Sequence, residues 1–377
     1  MKIAIDSRSV NLHSGTGIGT YTNNLVSEMI NIDTLNDFTL IWTGSIIQKF
    51  KKSNTRFIHS SGKHGRFFEN HFTPKKLLDN DIDLYHIPQN GIGFPFEYNI
   101  NTVVTIHDLI PYIMPETVGR GYLNRFLKDM PKIIENSKGI FTVSEFSKRD
   151  ILRFFKGYPE DKIFVTPLAT NKQYKPLDKS FCKNVINHKF KFTSPYILYI
   201  GGFSSRKNVK SLIDAFLNIE KSLSQEVKLL IVGPLKDEGE ILYNYVQERN
   251  KLDSIIFTGF VDNDLLPILY NGAETFAYPS TYEGFGLPPL EAMSCKTAVL
   301  TSDITSIPEV TGDCATLINP YDINDISTSL FKILEDSSFR LSIANKGYEK
   351  SKEFSWKNTA NLTLNAYKTI YDNILLK

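Results

Sequence analysis

YILYIGGFSSRKNVKSLIDAF, residues 196 to 216, sets an apolar run, a glycine-containing loop and a segment of helical periodicity in immediate succession. An apolar run without polar alternation reads as a strand covered on both faces, as strands of parallel sheets are. The same unit recurs on either side. C-terminal to it stand KLLIV at 228 to 232, SIIFT at 254 to 258, TFAYP at 275 to 279 and TAVLT at 297 to 301. N-terminal to it stand KIAI at 2 to 5, FTLIW at 38 to 42, DLYHI at 83 to 87, TVVTI at 102 to 106 and GIFTV at 139 to 143. Strands alternating with helical segments predict an α/β fold with two Rossmann-like, doubly wound domains. The polar, proline-containing NKQYKPLDKS interrupts the pattern. The expected division is therefore 1–170, a loop-like linker region 171–194, and 195–355. Trp356, Leu362, Leu364, Tyr367, Ile370, Tyr371 and Leu375 make 356–377 an amphipathic helix, expected to complete the first domain.

Bulk properties bound the function. A chain of 377 residues exceeds what one core usually organises. With 43 basic against 41 acidic residues, the net charge of +2 gives no reason to expect a nucleic-acid partner. Cys182, Cys295 and Cys314 form no Cys-x-x-Cys pair, which argues against a zinc or redox motif and fits a reducing compartment. MKIAID leads straight into a strand, and no run approaches the roughly 18 apolar residues of a membrane span. A cytoplasmic protein is expected, at most peripheral at the inner face of the membrane. Residues 45–76 carry Lys49, Lys51, Lys52, Arg56, Lys63, Arg66, Lys75 and Lys76 against Glu69, interleaved with Phe50, Phe57, Phe67 and Phe68. That stretch reads as a solvated basic face, or as a contact with an anionic membrane surface.

Ligands of open parallel sheets collect at the carboxyl ends of strands. After TFAYP the chain reads YPSTYEGFGLPPLEAM, 278 to 293, with a helix expected from Pro288 or Pro289. Gly284 and Gly286 let the backbone approach an anion the size of a diphosphate. Glu283 and Glu291 suit sugar hydroxyls, which carboxylates accept well. The same residues also fit a solvated helix start. In GGFSSRKN, 201 to 208, Arg206 and Lys207 can neutralise a diphosphate leaving group, or form a solvated basic turn. Ser14 to Gly19 is glycine-rich, but it lies too far beyond KIAI for a dinucleotide fingerprint, and the next strand lacks the ribose-binding acid. His107 and Asp108 end TVVTI, a position fitting either a catalytic group or a satisfied buried histidine. Ser144 is the expected N-cap of the helix that follows GIFTV, with Ser147 completing the turn.

EGFGLPPLEAM, with its glutamates seven residues apart, together with GGFSSRKN and FTGFV at 257 to 261, resembles the large fourth family of retaining GT-B glycosyltransferases. The resemblance runs over nearly the whole chain and implies two facing domains with the active site in the cleft between them. It implies that Arg206 and Lys207 hold the donor diphosphate, Glu291 the ribose and Glu283 the donor sugar. The backbone at Gly284, Phe285, Gly286 and Leu287 would contact phosphate or sugar, Val261 with Phe260 would lie beside the base, and Gly17 would border the donor. VTIHDLIPYIMPE resembles the His-Asp segment of mannosyltransferase-like members, which makes His107 the residue facing the reacting sugar. The expected reaction moves a hexose from a nucleotide-diphosphate sugar, GDP-mannose ahead of UDP-sugars, to a glycan or lipid-linked saccharide in cell-surface polysaccharide assembly. No metal and no cofactor are expected: the basic loop supplies the charge, and no Asp-x-Asp has a suitable context. A GT-B-fold sugar-nucleotide epimerase and a non-catalytic nucleotide-sugar-binding subunit are the rivals.

Overall fold

The computed structural model describes residues 1–376 and divides the chain into two compact units. The first comprises Met1–Ala169 and the C-terminal segment from Ser355, the second Thr170–Phe354. Each is built on one all-parallel sheet. In the first unit the strands are β1 (Lys2–Asp6), β2 (Asp37–Thr43), β3 (Thr55–Ser60), β4 (Leu84–Ile87), β5 (Thr102–Ile106), β6 (Gly139–Thr142) and β7 (Ile163–Val165), in the spatial order β3-β2-β1-β4-β5-β6-β7. The second holds β8 (Tyr196–Ile200), β9 (Lys228–Val232), β10 (Ile255–Gly259), β11 (Thr275–Tyr278), β12 (Ala298–Ser302) and β13 (Thr316–Ile318), ordered β10-β9-β8-β11-β12-β13. In the first sheet the chain winds outward from β1, then restarts beside it at β4. In the second it does the same from β8 and restarts at β11. These are the topological switch points, where loops diverge and leave a crevice for ligand.

The central strands are the ones expected from apolar runs. Ile3, Ala4 and Ile5 of β1 and Ile197, Leu198 and Tyr199 of β8 are wholly buried, as strands covered on both faces must be. Strands β3, β7 and β13 were not expected. Each is an edge strand with partly exposed positions, and β7 and β13 have three residues apiece, so none carries the apolar signal of a central strand.

The stretch 171–194, expected as a loop-like linker, contains the helix Lys179–Phe190. Asp178 caps it, accepting from the Phe181 amide at 2.7 Å, while Cys182 and Ile186, one turn apart, are buried. The polar composition around it belongs to its solvent face, where Lys179 and Lys183 pair with Glu274 at 3.0 and 2.8 Å. At the C-terminus a helix spans Trp356–Leu375 and is capped by Ser355, whose Oγ accepts from the Asn358 amide at 3.1 Å. Lys377, the last residue of the expected helix, lies outside the described residues. This helix packs on Gly17–Ile32 within the first unit, and the Thr359 hydroxyl donates to the Pro167 carbonyl at 2.6 Å.

The basic stretch 45–76 is less uniform than its charge suggests. Phe50 is fully buried against Trp42, with ring centroids 5.0 Å apart, whereas Phe67 is exposed. Among the described residues no helix is long and apolar enough to cross a membrane.

Candidate active site

The loops at the second switch point follow β8 and β11, and they are GGFSSRKN and the loop containing EGFG. The first is held from beneath by the Tyr199 hydroxyl, which donates to the Gly202 carbonyl at 2.6 Å. It closes in a 3-10 turn over Ser205–Lys207, and Asn208, at φ +56°, donates its side-chain amide to the Pro320 carbonyl at 2.7 Å. The Arg206 carbonyl accepts from the Thr281 amide at 2.7 Å and from the Ser280 hydroxyl at 3.1 Å, so backbone contacts lash the two loops together.

Their side chains then converge on one atom, Oε1 of Glu283. Arg206 Nη1 donates to it at 3.1 Å, Lys207 Nζ at 2.6 Å, the Tyr278 hydroxyl at 3.0 Å and the Ser280 hydroxyl at 2.6 Å. Lys207 Nζ also reaches the Tyr278 hydroxyl and lies 4.8 Å from its ring centroid. Burial alone would push the Glu283 carboxyl up, but Lys207 and Arg206 outweigh it and hold the group below the usual carboxylate range. The side chains of Arg206, Lys207 and Glu283 are 19%, 12% and 12% exposed, a largely buried setting in which cations act more strongly on an anion than they would in open water.

Beyond Glu283 the chain turns at Gly286, whose φ of +113° favours glycine. A Cβ there would stand 2.7 Å from Ile307 Cδ1, so a side chain would strain the backbone and also make the end of the Ile307 side chain move. The Ser306 hydroxyl pins this turn from behind, reaching the Glu283 and Phe285 carbonyls at 2.8 and 2.9 Å. The helix Leu287–Ser294 begins here. Pro288 and Pro289 have no N–H, so amides able to meet an anion at this helix start come from Phe285, Gly286 and Leu287.

Glu291 has a different setting. Its Oε2 accepts from the Tyr270 hydroxyl at 2.9 Å, with the Tyr174 hydroxyl also in reach. Burial raises its carboxyl from the usual 4.5 to about 7, the tyrosine hydrogen bonds offsetting only part of that. At the last residue of β10 the chain turns at Gly259, with φ +70°; Val261 packs into the core of the second unit and Phe260 is 76% exposed. The side chain presented to solvent at this turn is thus Phe260, and Val261 offers only its backbone.

In the first unit the Gly17–Ile32 helix is capped by Thr16, whose Oγ1 accepts from the Gly19 amide at 3.2 Å. Gly19 is required by packing, since a Cβ would lie 2.0 Å from the His13 carbonyl oxygen. A Cβ on Gly17 would meet nothing within 4 Å. Ser144 caps the Glu145–Phe154 helix by accepting from the Ser147 amide at 3.0 Å, and the Ser147 hydroxyl donates to the His107 carbonyl at 3.2 Å. His107 Nε2 faces the Pro88 carbonyl at 2.9 Å, which places the ring proton on Nε2 and leaves Nδ1 as an acceptor. The edge of the Tyr21 ring packs against it, with centroids 4.7 Å apart. Burial lowers the His107 pKa to about 4, so the ring is neutral near pH 7.

The structure therefore brings Arg206, Lys207 and Glu283 into one cluster, with Gly284, Phe285, Gly286 and Leu287 continuous with it. Reading the sequence missed Tyr278, Ser280 and Ser306. Tyr278 and Ser280 lie within YPSTYEGFG, but nothing local distinguishes them from core and loop residues.

The family model for group 1 glycosyl transferases matches residues 183–350, and that for glycosyltransferase family 4 matches 16–173. O-antigen chain mannosyltransferase B of Escherichia coli is 32% identical over 371 residues, covering 94% of this chain and 96% of that protein. The chain is a group 1, family 4 glycosyltransferase. A second relative of the glycosyltransferase, the serotype-specific mannosyltransferase WbdA of E. coli, is 32% identical over 71% of this chain but only 33% of its own length. In fold, the glycosyltransferase is similar to sucrose-phosphate synthase from Thermosynechococcus elongatus, with a TM-score of 0.77, 20% identity, and coverage of 99% of this chain and 100% of that one. Its two Rossmann-like units are those of the GT-B class. Among the described residues no group of three or more His, Cys, Asp or Glu side chains is arranged to hold a metal ion.

Proposed function

We propose that this glycosyltransferase moves a mannosyl group from GDP-mannose to a glycan or lipid-linked saccharide in cell-surface polysaccharide assembly, with retention of configuration and without a metal. The observation that carries the chemistry is the Arg206–Lys207 pair, tied at a switch point to Glu283 in the loop that leads into the helix Leu287–Ser294. Mannose is favoured because the two E. coli relatives are named as mannosyltransferases.

In this reading Arg206, Lys207 and the amides at Phe285, Gly286 and Leu287 take the charge that grows on the diphosphate as its bond to the anomeric carbon breaks. The sugar passes through an oxocarbenium-like state. The acceptor hydroxyl attacks from the face the diphosphate leaves, and its proton goes to the departing phosphate oxygen. Glu283, with Oε1 committed to its four donors, accepts a sugar hydroxyl through the rest of its carboxylate. Glu291 accepts from the ribose, Val261 backs the base through its main chain, and Gly17 borders the donor. His107 is neutral and holds its proton on Nε2, so its part is to accept a hydrogen bond from the transferred sugar through Nδ1. The enzyme works in the cytoplasm, and residues 45–76, where Phe67 stands exposed among basic residues, make any peripheral contact with the membrane.

The test is incubation with GDP-mannose, UDP-glucose or UDP-N-acetylglucosamine and α-linked mannose acceptors, with anomeric configuration read by NMR. Transfer from GDP-mannose in EDTA with an α-linkage is expected. Transfer from a UDP-sugar alone would replace the donor, an inverted linkage or a strict manganese requirement would refute the mechanism, and conversion without an acceptor would favour an epimerase. Binding of a nucleotide sugar without any turnover would favour a non-catalytic subunit.

A further inference from the structure

Four buried side chains form one hydrogen-bonded line in the first unit: Tyr367 on the C-terminal helix, His86 on β4, Thr105 on β5 and Tyr21 on the helix Gly17–Ile32. We propose that Tyr21 is a positioning residue for His107: its ring, tethered through its hydroxyl to Thr105 and His86, fixes the plane of the imidazole and so aims Nδ1 at the transferred sugar. The proposal rests on the role given to His107 above and adds what holds that residue in place.

The contacts are short and continuous. The Tyr367 hydroxyl lies 2.5 Å from His86 Nδ1, His86 Nε2 lies 2.7 Å from the Thr105 hydroxyl, and the Thr105 and Tyr21 hydroxyls are 3.1 Å apart. The Tyr21 hydroxyl also bonds the Thr166 hydroxyl, which donates to the Thr142 carbonyl at 3.4 Å. Proton positions follow from the chemistry of these groups. Burial keeps His86 neutral near pH 7, so its ring carries one proton and its other nitrogen accepts. A carbonyl only accepts, so Thr166 gives its proton to Thr142 and receives one from Tyr21. Tyr21 then receives from Thr105, Thr105 from the His86 Nε2–H, and His86 Nδ1 from Tyr367. Every donor in the line has an acceptor, which satisfies groups whose burial would otherwise be costly.

The Tyr21 ring meets the His107 ring with centroids 4.7 Å apart and planes at 90°. This contact supplies what the imidazole's own hydrogen bond does not. Rotation of a histidine ring about its last side-chain bond is a broad torsion, and the Nε2 bond to the Pro88 carbonyl is a single point of attachment. A fixed ring at right angles sets the plane as well, and perpendicular pairs are a favoured aromatic geometry. Tyr21 is held at its hydroxyl by Thr105 and Thr166, and Trp356 packs against its ring with centroids 6.1 Å apart. A ring used for packing needs no such tether, since phenylalanine would fill the same volume without burying a hydroxyl. Tyr21 also stands one turn after Gly17 on the same helix face, so the segment read as bordering the donor carries the ring that braces His107.

The experiment compares wild type with Tyr21→Phe, Tyr21→Leu, His107→Ala and the double variants that join each Tyr21 change to His107→Ala, all in the full chain. The readouts are transfer from GDP-mannose, calorimetry with GDP, and nitrogen NMR of histidine-labelled protein, in which the His107 signals are those lost in His107→Ala. Tyr21→Leu should lower kcat about ten- to a hundredfold, and Tyr21→Phe, which keeps the ring but not the tether, about three- to tenfold, with donor KM and GDP affinity unchanged. In the His107→Ala background neither change should lower kcat further, because a residue that acts through His107 has nothing left to position. Both variants should also turn the single Nε2-protonated form of His107 into a mixture of tautomers. A kcat loss of the same factor with and without His107, or unaltered His107 nitrogen signals in both variants, would overturn the positioning role. Should Tyr21→Leu fail to fold, as its thermal midpoint would show, Tyr21→Phe carries both tests. Disturbed His107 signals in Tyr21→Phe, alongside wild-type transfer by His107→Ala, would uphold the contact and refute the part given to His107 in the reaction. In a chain that transfers from no donor, the nitrogen signals alone decide the contact.

Discussion

Glu291→Gln separates the energetic cost of burying this carboxylate from its use in binding. Folding raises the carboxyl from its usual 4.5 to about 7, chiefly by burial, and its hydrogen-bond donors are the neutral hydroxyls of Tyr270 and Tyr174. The unfolded chain loses this proton near pH 4.5, while the folded chain keeps it until about pH 7. Between those values the folded state binds the extra proton, so stability falls as pH rises. The penalty is absent below pH 4.5 and complete above pH 7, where a shift of this size amounts to about 3 kcal/mol. Glutamine carries no charge and keeps an acceptor oxygen for Tyr270. The variant should match wild type near pH 4.5 and exceed it at pH 8 by about 2 to 3 kcal/mol. It should nonetheless bind GDP more weakly, roughly ten- to a hundredfold, because the ribose loses a charged acceptor. Both tryptophans, Trp42 and Trp356, belong to the first unit, so fluorescence does not report on the unit that holds Glu291. Urea titrations followed by amide exchange in Tyr196–Ile200 and Thr275–Tyr278, at pH 5 and pH 8, give the stability. Calorimetry with GDP gives the binding. A variant no more stable than wild type at pH 8 refutes the burial argument, and unchanged GDP affinity removes Glu291 from the ribose.

Lys207→Ala should cost turnover about ten- to a thousandfold, with a smaller effect on acceptor KM, since the charge it meets grows as the bond breaks; wild-type turnover would exclude it from the site. His107→Ala should lower transfer and leave GDP affinity unchanged, and a variant whose tryptophan fluorescence reports an unfolded first unit would make His107 a core residue only. The first unit should weaken in acid through two histidines. His86, wholly buried between the Tyr367 and Thr105 hydroxyls, is lowered to about 3 by burial and nearby His107, and His107 itself to about 4. The unfolded chain protonates both below pH 6.5 while the folded chain does not, so stability drops as pH falls from 6.5 toward 4. Fluorescence-detected urea midpoints that stay level over that range would contradict this.

The central strands, the loops at their carboxyl ends and the Ser144 cap were legible in the sequence, because each is dictated by residues adjacent in the chain. An unbroken apolar run has one stable environment, the interior of a covered sheet, and a serine three residues ahead of an unpaired amide has one ready use. Glu283 shows where such reading stops. Arg206 and Lys207 stand more than seventy residues before it, and they meet because β8 and β11 are neighbours in the second sheet. Strand order is decided by how the helices cover the sheet as a whole, so no local pattern announces that Tyr278 and Ser280 join the same carboxylate. Phe50 and Phe67 look alike in a basic stretch, yet one fills the space beside Trp42 and the other faces solvent. The contrast between the two glutamates has the same origin. Each is an acid in a loop-to-helix segment, but packing surrounds one with cations and the other with tyrosines, and that surrounding decides which is ionised at low pH and which holds its proton to about pH 7.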